Sequence, residues 1–294
     1  MQVFMFPGQG SQGAGMGRGL FDDVQEYRAV ENEVDRRLGY SMRALCLDNP
    51  GNQLTQTEFT QPAMYTVSAL HYFAKLKTGV RPNIAVGHSL GEYNALMAAG
   101  AFDFLTGLAM VKKRGALMAQ ARNGGMAAVI GLAPERISES LRRSGLETID
   151  LANYNSPRQT VISGPAEDIR RSVTVLQQAG AQTVVPLPVS AAFHSRYMAD
   201  AAREFERFLI PFQFNRLRIP VVSNVTGKAY PTEGSPRELK KFLVRQISEP
   251  VRWSASVETL QSMGASEFLE VGHGTVLTRL LTENTRPMAV AGVV

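Results

Sequence analysis

Hydrophobic residues along the chain follow two patterns, short apolar runs and longer stretches in which apolar positions recur with helical spacing. The runs at residues 2–6 and 83–86 are each followed by a glycine-rich turn, so they predict buried strands. The stretches at residues 20–47 and 61–77 have helical spacing and predict helices. Strands and helices therefore alternate, which indicates an α/β fold.

Residues 124–189 have a different pattern, in which the predicted helices and strands are shorter and are separated by clear turn residues. The pattern predicts six elements in the order βαββαβ, at residues 126–132, 134–143, 148–154, 158–163, 167–179 and 182–188. This order is typical of the ferredoxin-like split unit, for which roughly 65 residues is a normal size.

Longer units return after this segment. A helix is predicted after residue 194 and a strand at residues 219–224. A further helix is predicted from Pro236, and a last strand at residues 267–271. We therefore predict an α/β-hydrolase-like body built from residues 1–123 and 190–294, with a ferredoxin-like small subdomain inserted at residues 124–189.

Composition limits the class of protein. Of the 294 residues, 44% are hydrophobic and 19% are charged, which is typical of a soluble globular protein. Cys46 is the only cysteine, which excludes an internal disulfide and a cysteine-rich zinc site. Residues 1–12 lack the features of a signal peptide, and no apolar run reaches the roughly 18 residues of a membrane span. We therefore predict a soluble, cytoplasmic protein.

The net charge of +5 comes from scattered Lys and Arg residues. No run of them resembles a nucleic-acid-binding tract, so we predict no nucleic acid partner. A solvated basic surface is the simpler interpretation. The alternative is that the basic excess attracts an anionic ligand or partner.

The turn at Gly87-His88-Ser89-Leu90-Gly91 is the first chemical signal. It fits G-x-S-x-G between a predicted strand and a predicted helix, which is the context of a nucleophile elbow. Such a turn strains the serine backbone, and the flanking glycines relieve the crowding. The Leu90 N–H lies at the helix start, where it can stabilise an oxyanion. The alternative is a chance glycine-serine turn, because short motifs often mislead.

A serine nucleophile needs a base, and the chain offers four histidines. His71 is predicted in mid-helix, and the side chain of His88 should point away from that of Ser89. His273 follows a predicted strand and could line the site. His194 stands where the chain leaves the small subdomain, so we predict that it is the base. The alternative is a histidine that only satisfies backbone hydrogen bonds.

Seven short motifs are spread along the chain. They are Phe6-Pro7-Gly8-Gln9-Gly10-Ser11-Gln12, Thr60-Gln61-Pro62-Ala63, Gly87-His88-Ser89-Leu90-Gly91-Glu92, Lys113-Arg114-Gly115, Asn155-Ser156-Pro157, Ala192-Phe193-His194-Ser195 and Glu249-Pro250-Val251-Arg252-Trp253. They occur in the order seen in malonyl-CoA:acyl-carrier-protein transacylases, and the chain resembles that family over nearly its whole length.

The resemblance implies a catalytic arrangement. Ser89 would be the nucleophile and His194 the base. Gln9 and Leu90 would supply the two backbone N–H groups of an oxyanion hole. Gln246 would orient His194 with its backbone carbonyl in place of an aspartate, which gives a Ser-His dyad.

The resemblance also implies which residues hold the acyl group. Arg114 would bind a carboxylate with two parallel hydrogen bonds, which lysine cannot match. Taken alone, Arg114 follows two lysines and is typical of an exposed helical arginine. A phenylalanine beside the base leaves little room for an α-methyl group, which favours malonyl over methylmalonyl. Phe193 is therefore a candidate for substrate binding. The other candidates are Gln61, Asn155 and His273.

The implied substrates are malonyl-CoA and the phosphopantetheine thiol of an acyl carrier protein, for fatty-acid or polyketide synthesis. No bound cofactor, metal or membrane is implied. Coenzyme A would leave before the carrier thiol attacks the acyl-serine, which gives ping-pong kinetics. We expect a monomer.

Residues 38–41, 59–65 and 272–274 are similar to stand-alone acyltransferases that serve modular polyketide synthases in trans. We therefore expect that role. The chain ends soon after residues 286–288, without the further helix of many relatives, so we also expect a domain excised from a longer polypeptide.

Two other classes of function stay open. A hydrolase that edits carrier-bound thioesters would use the same dyad and let water attack the acyl-serine, and Arg114 counts against it. A catalytically idle module that docks carriers is the binding-protein alternative, and the intact Ser89 and His194 count against that.

Overall fold

The computed structural model describes residues 1–231 and 236–285. Its strands are β1 Gln2–Phe6, β2 Ile84–Gly87, β3 Gly124–Ile130, β4 Asp150–Ser156, β5 Gln159–Pro165, β6 Thr183–Pro186, β7 Val221–Val222 and β8 Glu267–Glu270. Its helices are α1 Leu20–Asp23, α2 Gln25–Arg28, α3 Glu31–Leu38, α4 Met42–Asp48, α5 Thr57–Lys77, α6 Gly91–Ala98, α7 Phe104–Ala119, α8 Pro134–Arg143, α9 Ala166–Gln178, α10 Ala199–Leu209, α11 Pro236–Ser248, α12 Trp253–Ser262 and α13 Val276–Thr285. The expected chain end after residues 286–288 lies outside the described residues.

The first sheet is parallel, with its strands in the order β7-β2-β1-β8. One face packs against α5, α6 and α7, with Phe4 and Phe6 in that core. The other face packs against α12 and α13, with Val3, Met5 and Trp253 in a second core. Because both faces are covered, β1 and β2 are continuous apolar runs without alternation.

The second sheet is antiparallel, with its strands in the order β4-β5-β3-β6. Helices α8 and α9 pack on it around a separate core that includes Val129, Ile137, Ile162 and Leu176. This is the strand order of a ferredoxin-like unit. The predicted α/β fold, a large body with a small subdomain, is confirmed. The boundaries before residue 124 and after residue 189 stay a prediction.

The stretch at residues 20–47 forms four short helices, α1 to α4, and not one continuous helix. Val24 has an extended backbone between α1 and α2. Gly39 has a left-handed φ of 86° and ends α3, which glycine does without a steric penalty. Ser41 caps the start of α4 with its side chain. These local signals override the helical spacing.

The strand predicted at residues 219–224 is shorter than expected. It ends at Val222 because the chain turns back, with the Ser223 N–H donating to the Lys228 carbonyl. The other predicted elements begin and end within a few residues of the observed ones. Within residues 1–231 and 236–285, no helix has both the length and the apolar character needed to cross a membrane.

The turns that follow β1 and β2 lie against each other and fix the position of Ser89. A Cβ at Gly91 would lie 2.0 Å from the Phe6 carbonyl oxygen, and a Cβ at Gly87 would lie 1.9 Å from the Gly91 carbonyl carbon. Only glycine fits at either position. Ser89 therefore stands at the carboxyl edge of the parallel sheet, where ligands bind in open α/β folds.

We predict that Gly91→Ala lowers the free energy of unfolding by about 3 kcal/mol, because the added carbon overlaps backbone that cannot move aside. Urea unfolding followed by the fluorescence of Trp253 measures this loss. Gly125→Ala is the matched control, since its Cβ would meet nothing closer than 3.4 Å. Equal losses in the two variants would contradict the prediction.

Candidate active site

Ser89 is held at the tip of the turn between β2 and α6 in a left-handed conformation, with a φ of 51°. Its N–H donates to Asn224 Oδ1 at 2.6 Å, and Asn224 Nδ2 donates to the Gly87 carbonyl at 2.6 Å. A left-handed backbone is uncommon for a residue other than glycine, so these two bonds stabilise the turn. Asn224 could not be found from the sequence, because it lies 135 residues beyond Ser89.

His194 lies against Ser89 in the position that proton transfer requires. The distance between Ser89 Oγ and His194 Nε2 is 2.8 Å. On the other side of the ring, Nδ1 is 2.8 Å from the backbone oxygen of Gln246. A carbonyl can only accept, so Nδ1 carries the hydrogen and the Nε2 lone pair faces the serine hydroxyl. This tautomer is the one that can take a proton from Ser89.

The surroundings keep His194 neutral. Burial lowers its pKa from 6.5 to about 3, and the positive charge of Arg114 acts in the same direction. His88 is half-buried, and its Nε2 bonds to Asn155 Oδ1 at 2.9 Å, away from the Ser89 hydroxyl. Of these two histidines, only His194 is hydrogen-bonded to the Ser89 hydroxyl.

Arg114 is 1% exposed, so the interpretation of an exposed helical arginine is wrong. Its Nη1 donates to Gln61 Oε1 at 2.8 Å, and its Nη2 donates to Gln246 Oε1 at 3.0 Å and to Ser89 Oγ at 3.2 Å. Its Nε has no partner among the described residues. The guanidinium therefore has donor capacity beside the nucleophile.

Glu92 is a second buried charge that the sequence did not indicate, because an acid in the first helical turn is common. It is 1% exposed. Its Oε1 accepts from the Tyr230 hydroxyl at 2.6 Å and from the Asn224 N–H at 3.2 Å, and its Oε2 accepts from Gln246 Nε2. Burial raises the pKa of Glu92 to about 7, although these hydrogen bonds and Arg114 oppose the shift.

A cavity of about 200 Å³ opens between the body and the small subdomain at Ser89. The predicted residues that line it are Ser89, His194, Gln9, Leu90, Arg114, Gln61 and Phe193. The small subdomain and its exit segment contribute Met126, Asn153, Leu187, Pro188 and Val189. Asn153 Oδ1 has no hydrogen-bond partner among the described residues, and no sequence motif pointed to Asn153.

Gln9 and Leu90 both line this cavity. Within the described residues neither backbone N–H has a hydrogen-bond partner. An oxyanion hole requires two free N–H groups beside the nucleophile, and this role of Gln9 and Leu90 stays a prediction. Gln246 contributes from behind the cavity, through its carbonyl on His194 and its side chain on Arg114.

Asn155 and His273 are not among the residues that line this cavity, and their part in substrate binding stays a prediction. The Asn155 side chain is hydrogen-bonded to two other side chains. Its Oδ1 bonds to His88 Nε2, and its Nδ2 donates to Gln159 Oε1 at 2.9 Å. The His273 ring lies against the glycine-rich loop, 3.3 Å from the point where a Cβ of Gly13 would stand.

A comparison with protein families shows which family the chain matches. The family model for the acyl transferase domain matches residues 3–294. The chain belongs to the acyl transferase domain family. Among the described residues, no group of three or more His, Cys, Asp or Glu is placed to hold a metal ion.

Relatives of this acyl transferase domain include proteins of very different length. The polyketide biosynthesis protein ThaF of Burkholderia thailandensis is 52% identical over 96% of this chain, which spans only 24% of ThaF. The polyketide biosynthesis malonyl CoA-acyl carrier protein transacylase BaeC of Bacillus velezensis is 50% identical, over 96% of both chains. The crystal structure of a malonyl CoA-acyl carrier protein transacylase from Burkholderia pseudomallei is 44% identical, with a TM-score of 0.92 over 98% of this chain and 99% of the other. The chain is therefore an acyltransferase.

We predict that the acyl transferase domain keeps a reactive Ser89 at acidic pH, because burial holds the pKa of His194 far below 6.5. The rate at which a neutral sulfonyl fluoride modifies Ser89 should change less than about twofold between pH 7.5 and 5.5. A base with an ordinary histidine pKa would lose about tenfold over that range. A tenfold loss would show that His194 titrates normally, and His194→Gln should remove the reaction at every pH.

Proposed function

We propose that this chain transfers a malonyl group from malonyl-CoA to the phosphopantetheine thiol of an acyl carrier protein, through a malonyl ester on Ser89. The observation that carries the proposal is a buried guanidinium, Arg114, 3.2 Å from the Ser89 hydroxyl. A cation at that distance from a nucleophile suits an acyl group that carries its own carboxylate. BaeC, which matches over nearly its full length, is named for this reaction.

The first half-reaction forms the ester. Nε2 of His194 takes the hydroxyl proton while Ser89 Oγ attacks the thioester carbonyl carbon. The N–H groups of Gln9 and Leu90 stabilise the oxyanion, and the Gln246 carbonyl stabilises the imidazolium through Nδ1–H. The intermediate then expels the sulfur of coenzyme A, which leaves as a thiol with the proton from His194.

The second half-reaction reverses these steps with a different thiol. The carrier phosphopantetheine enters the same cavity, and its thiol gives a proton to His194 as its sulfur attacks the ester. Ser89 then leaves and recovers the proton. Both thiols need the same place beside His194, so coenzyme A must depart first and the kinetics are ping-pong. The chemistry needs no cofactor beyond the two thiol substrates.

Arg114 selects the acyl group in this proposal. A malonyl carboxylate forks onto the guanidinium in a charge-assisted pair. A neutral acetyl group leaves the buried N–H groups of Arg114 without that partner. Unpaired buried donors discriminate between substrates more strongly than a difference in the size of an apolar group does. Phe193 narrows the cavity beside His194, which leaves little space for a substituent on the acyl α-carbon.

The setting of the reaction is also part of the proposal. ThaF and BaeC are both named as polyketide biosynthesis proteins, which supports service to a polyketide synthase over a fatty-acid carrier. Action in trans, a cytoplasmic location and a monomeric state stay predictions. The hydrolase and the idle module gain no support, because Arg114 lies beside an assembled dyad and BaeC is named as a transacylase.

We predict a stable malonyl adduct on Ser89 when the protein is mixed with malonyl-CoA. Intact-mass and peptide mass spectrometry measure the adduct, which Ser89→Ala should remove. Ser190→Ala, an exposed serine near the cavity, is the matched control and should keep the adduct. Rapid release of free malonate without an adduct would favour a hydrolase, and neither product would favour the idle module.

We predict that Arg114→Ala lowers kcat/KM for malonyl-CoA by about 100-fold, because one charge-assisted carboxylate contact contributes about 2–3 kcal/mol. The value for acetyl-CoA should stay level or rise. Steady-state kinetics with both substrates give the ratio. Lys112→Ala removes an exposed cation from the same helix and should leave the ratio unchanged. Equal losses for both substrates would show that Arg114 does not bind the carboxylate.

A further inference from the structure

The buried part of the site holds one cation and one anion among the described residues. Arg114 and Glu92 are each 1% exposed. Four other titratable side chains face this region, and none of them carries a charge at neutral pH. Burial raises the pKa of the Tyr93 and Tyr230 phenols. It lowers the pKa of the His88 and His194 imidazoles. The charge of Arg114 is therefore balanced by Glu92 alone.

One side-chain amide joins the two charges. Gln246 Oε1 accepts from Arg114 Nη2 at 3.0 Å, while Gln246 Nε2 donates to Glu92 Oε2 and to the Ser89 carbonyl. The amide cannot turn around, because its oxygen would then face a carboxylate and its NH₂ group would face a guanidinium. Glu92 is thus one amide group away from the cation that meets the substrate.

A malonyl carboxylate changes this balance. When it binds Arg114, two buried anions share one cation, and desolvation makes the second negative charge costly. Protonation of Glu92 restores neutrality. The Tyr230 hydroxyl can then accept from Glu92, because a hydroxyl is both donor and acceptor. Tyr230 could in turn donate to Ser223 Oγ, which lies against it and has no assigned partner among the described residues.

We propose that Glu92 is the resting counter-ion of Arg114, and that the arrival of the malonyl carboxylate drives a proton from solvent onto Glu92. The inference rests on the proposed role of Arg114. Because burial already brings the pKa of Glu92 to about 7, a second anion nearby is enough to protonate it at neutral pH. Malonyl binding is then coupled to proton uptake, and acetyl binding is not.

Proton uptake during the loading of Ser89 tests the proposal. The intact protein is mixed with malonyl-CoA at pH 7 in weak buffer with a pH indicator, and the adduct is counted by mass spectrometry. The transfer itself is proton-neutral, because the serine proton ends on the thiol of coenzyme A. We expect uptake of about half a proton per malonyl-serine, since a carboxyl with a pKa near 7 is half-ionised there. Acetyl-CoA, at a concentration high enough to load Ser89 despite the selectivity, releases the same thiol and should take up no proton per acetyl-serine formed.

Two variants locate the proton. Glu92→Gln keeps the size of the side chain and should abolish the uptake that accompanies malonyl loading. Glu258→Gln removes an exposed carboxylate and should leave the uptake unchanged. The proposal is overturned if uptake is absent with malonyl-CoA, equal with acetyl-CoA, or retained in Glu92→Gln.

The unmodified protein decides the matter even where Glu92→Gln fails to fold, because malonyl and acetyl loading are compared on the same chain. The outcome also separates this inference from the proposed function. A protein that loads no malonyl group on Ser89 refutes the function, whereas loading without proton uptake refutes only the role of Glu92.

Discussion

The 2.8 Å hydrogen bond between Ser89 and His194 joins two backbones that are both in the left-handed region, with φ values of 51° and 56°. That conformation costs about 1–2 kcal/mol for each residue that has a side chain. Asn224 Oδ1 accepts a hydrogen bond from the Ser89 N–H, and the backbone carbonyl of Gln246 accepts one from His194 Nδ1. The neighbouring strands β2 and β7 bring Ser89 and Asn224 together, and α11 carries Gln246, so the strain at the dyad is offset by contacts that exist only in the folded chain.

The same folded contacts stabilise the buried charges. A guanidinium and a carboxylate that are both hidden from water are tolerated only when hydrogen bonds satisfy them. Gln246 links Arg114 to Glu92, and Tyr230 supplies a further donor. The atoms left without partners among the described residues include Arg114 Nε and Asn153 Oδ1, both on residues that line the cavity. These two polar groups are therefore on residues that a substrate in the cavity can reach.

Sequence patterns predicted the fold and the elbow because those signals are local, whereas the rest of the site depends on distant contacts. Glu92 and Tyr230 are 138 residues apart, and no periodicity connects them. Arg114 follows two lysines, but neighbouring residues of a helix point in different directions, so one can be exposed and the next buried. Only the packing of α7 determines that Arg114 faces the interior. The surroundings of Asn155 depend on the fold, because β4 has register shifts around Asn153 and Tyr154, so a simple alternation does not fix where each side chain points.

The orientation of His194 by a carbonyl also follows from the charge of the site. An aspartate on Nδ1 would stabilise the imidazolium more strongly, but it would add a buried anion close to Arg114. Glu92 already balances that cation, so a further carboxylate would repel the carboxylate of the proposed malonyl substrate. A neutral carbonyl at 2.8 Å fixes the tautomer without that repulsion. A dyad in place of a triad therefore fits the proposed transfer of an acyl group that is itself an anion.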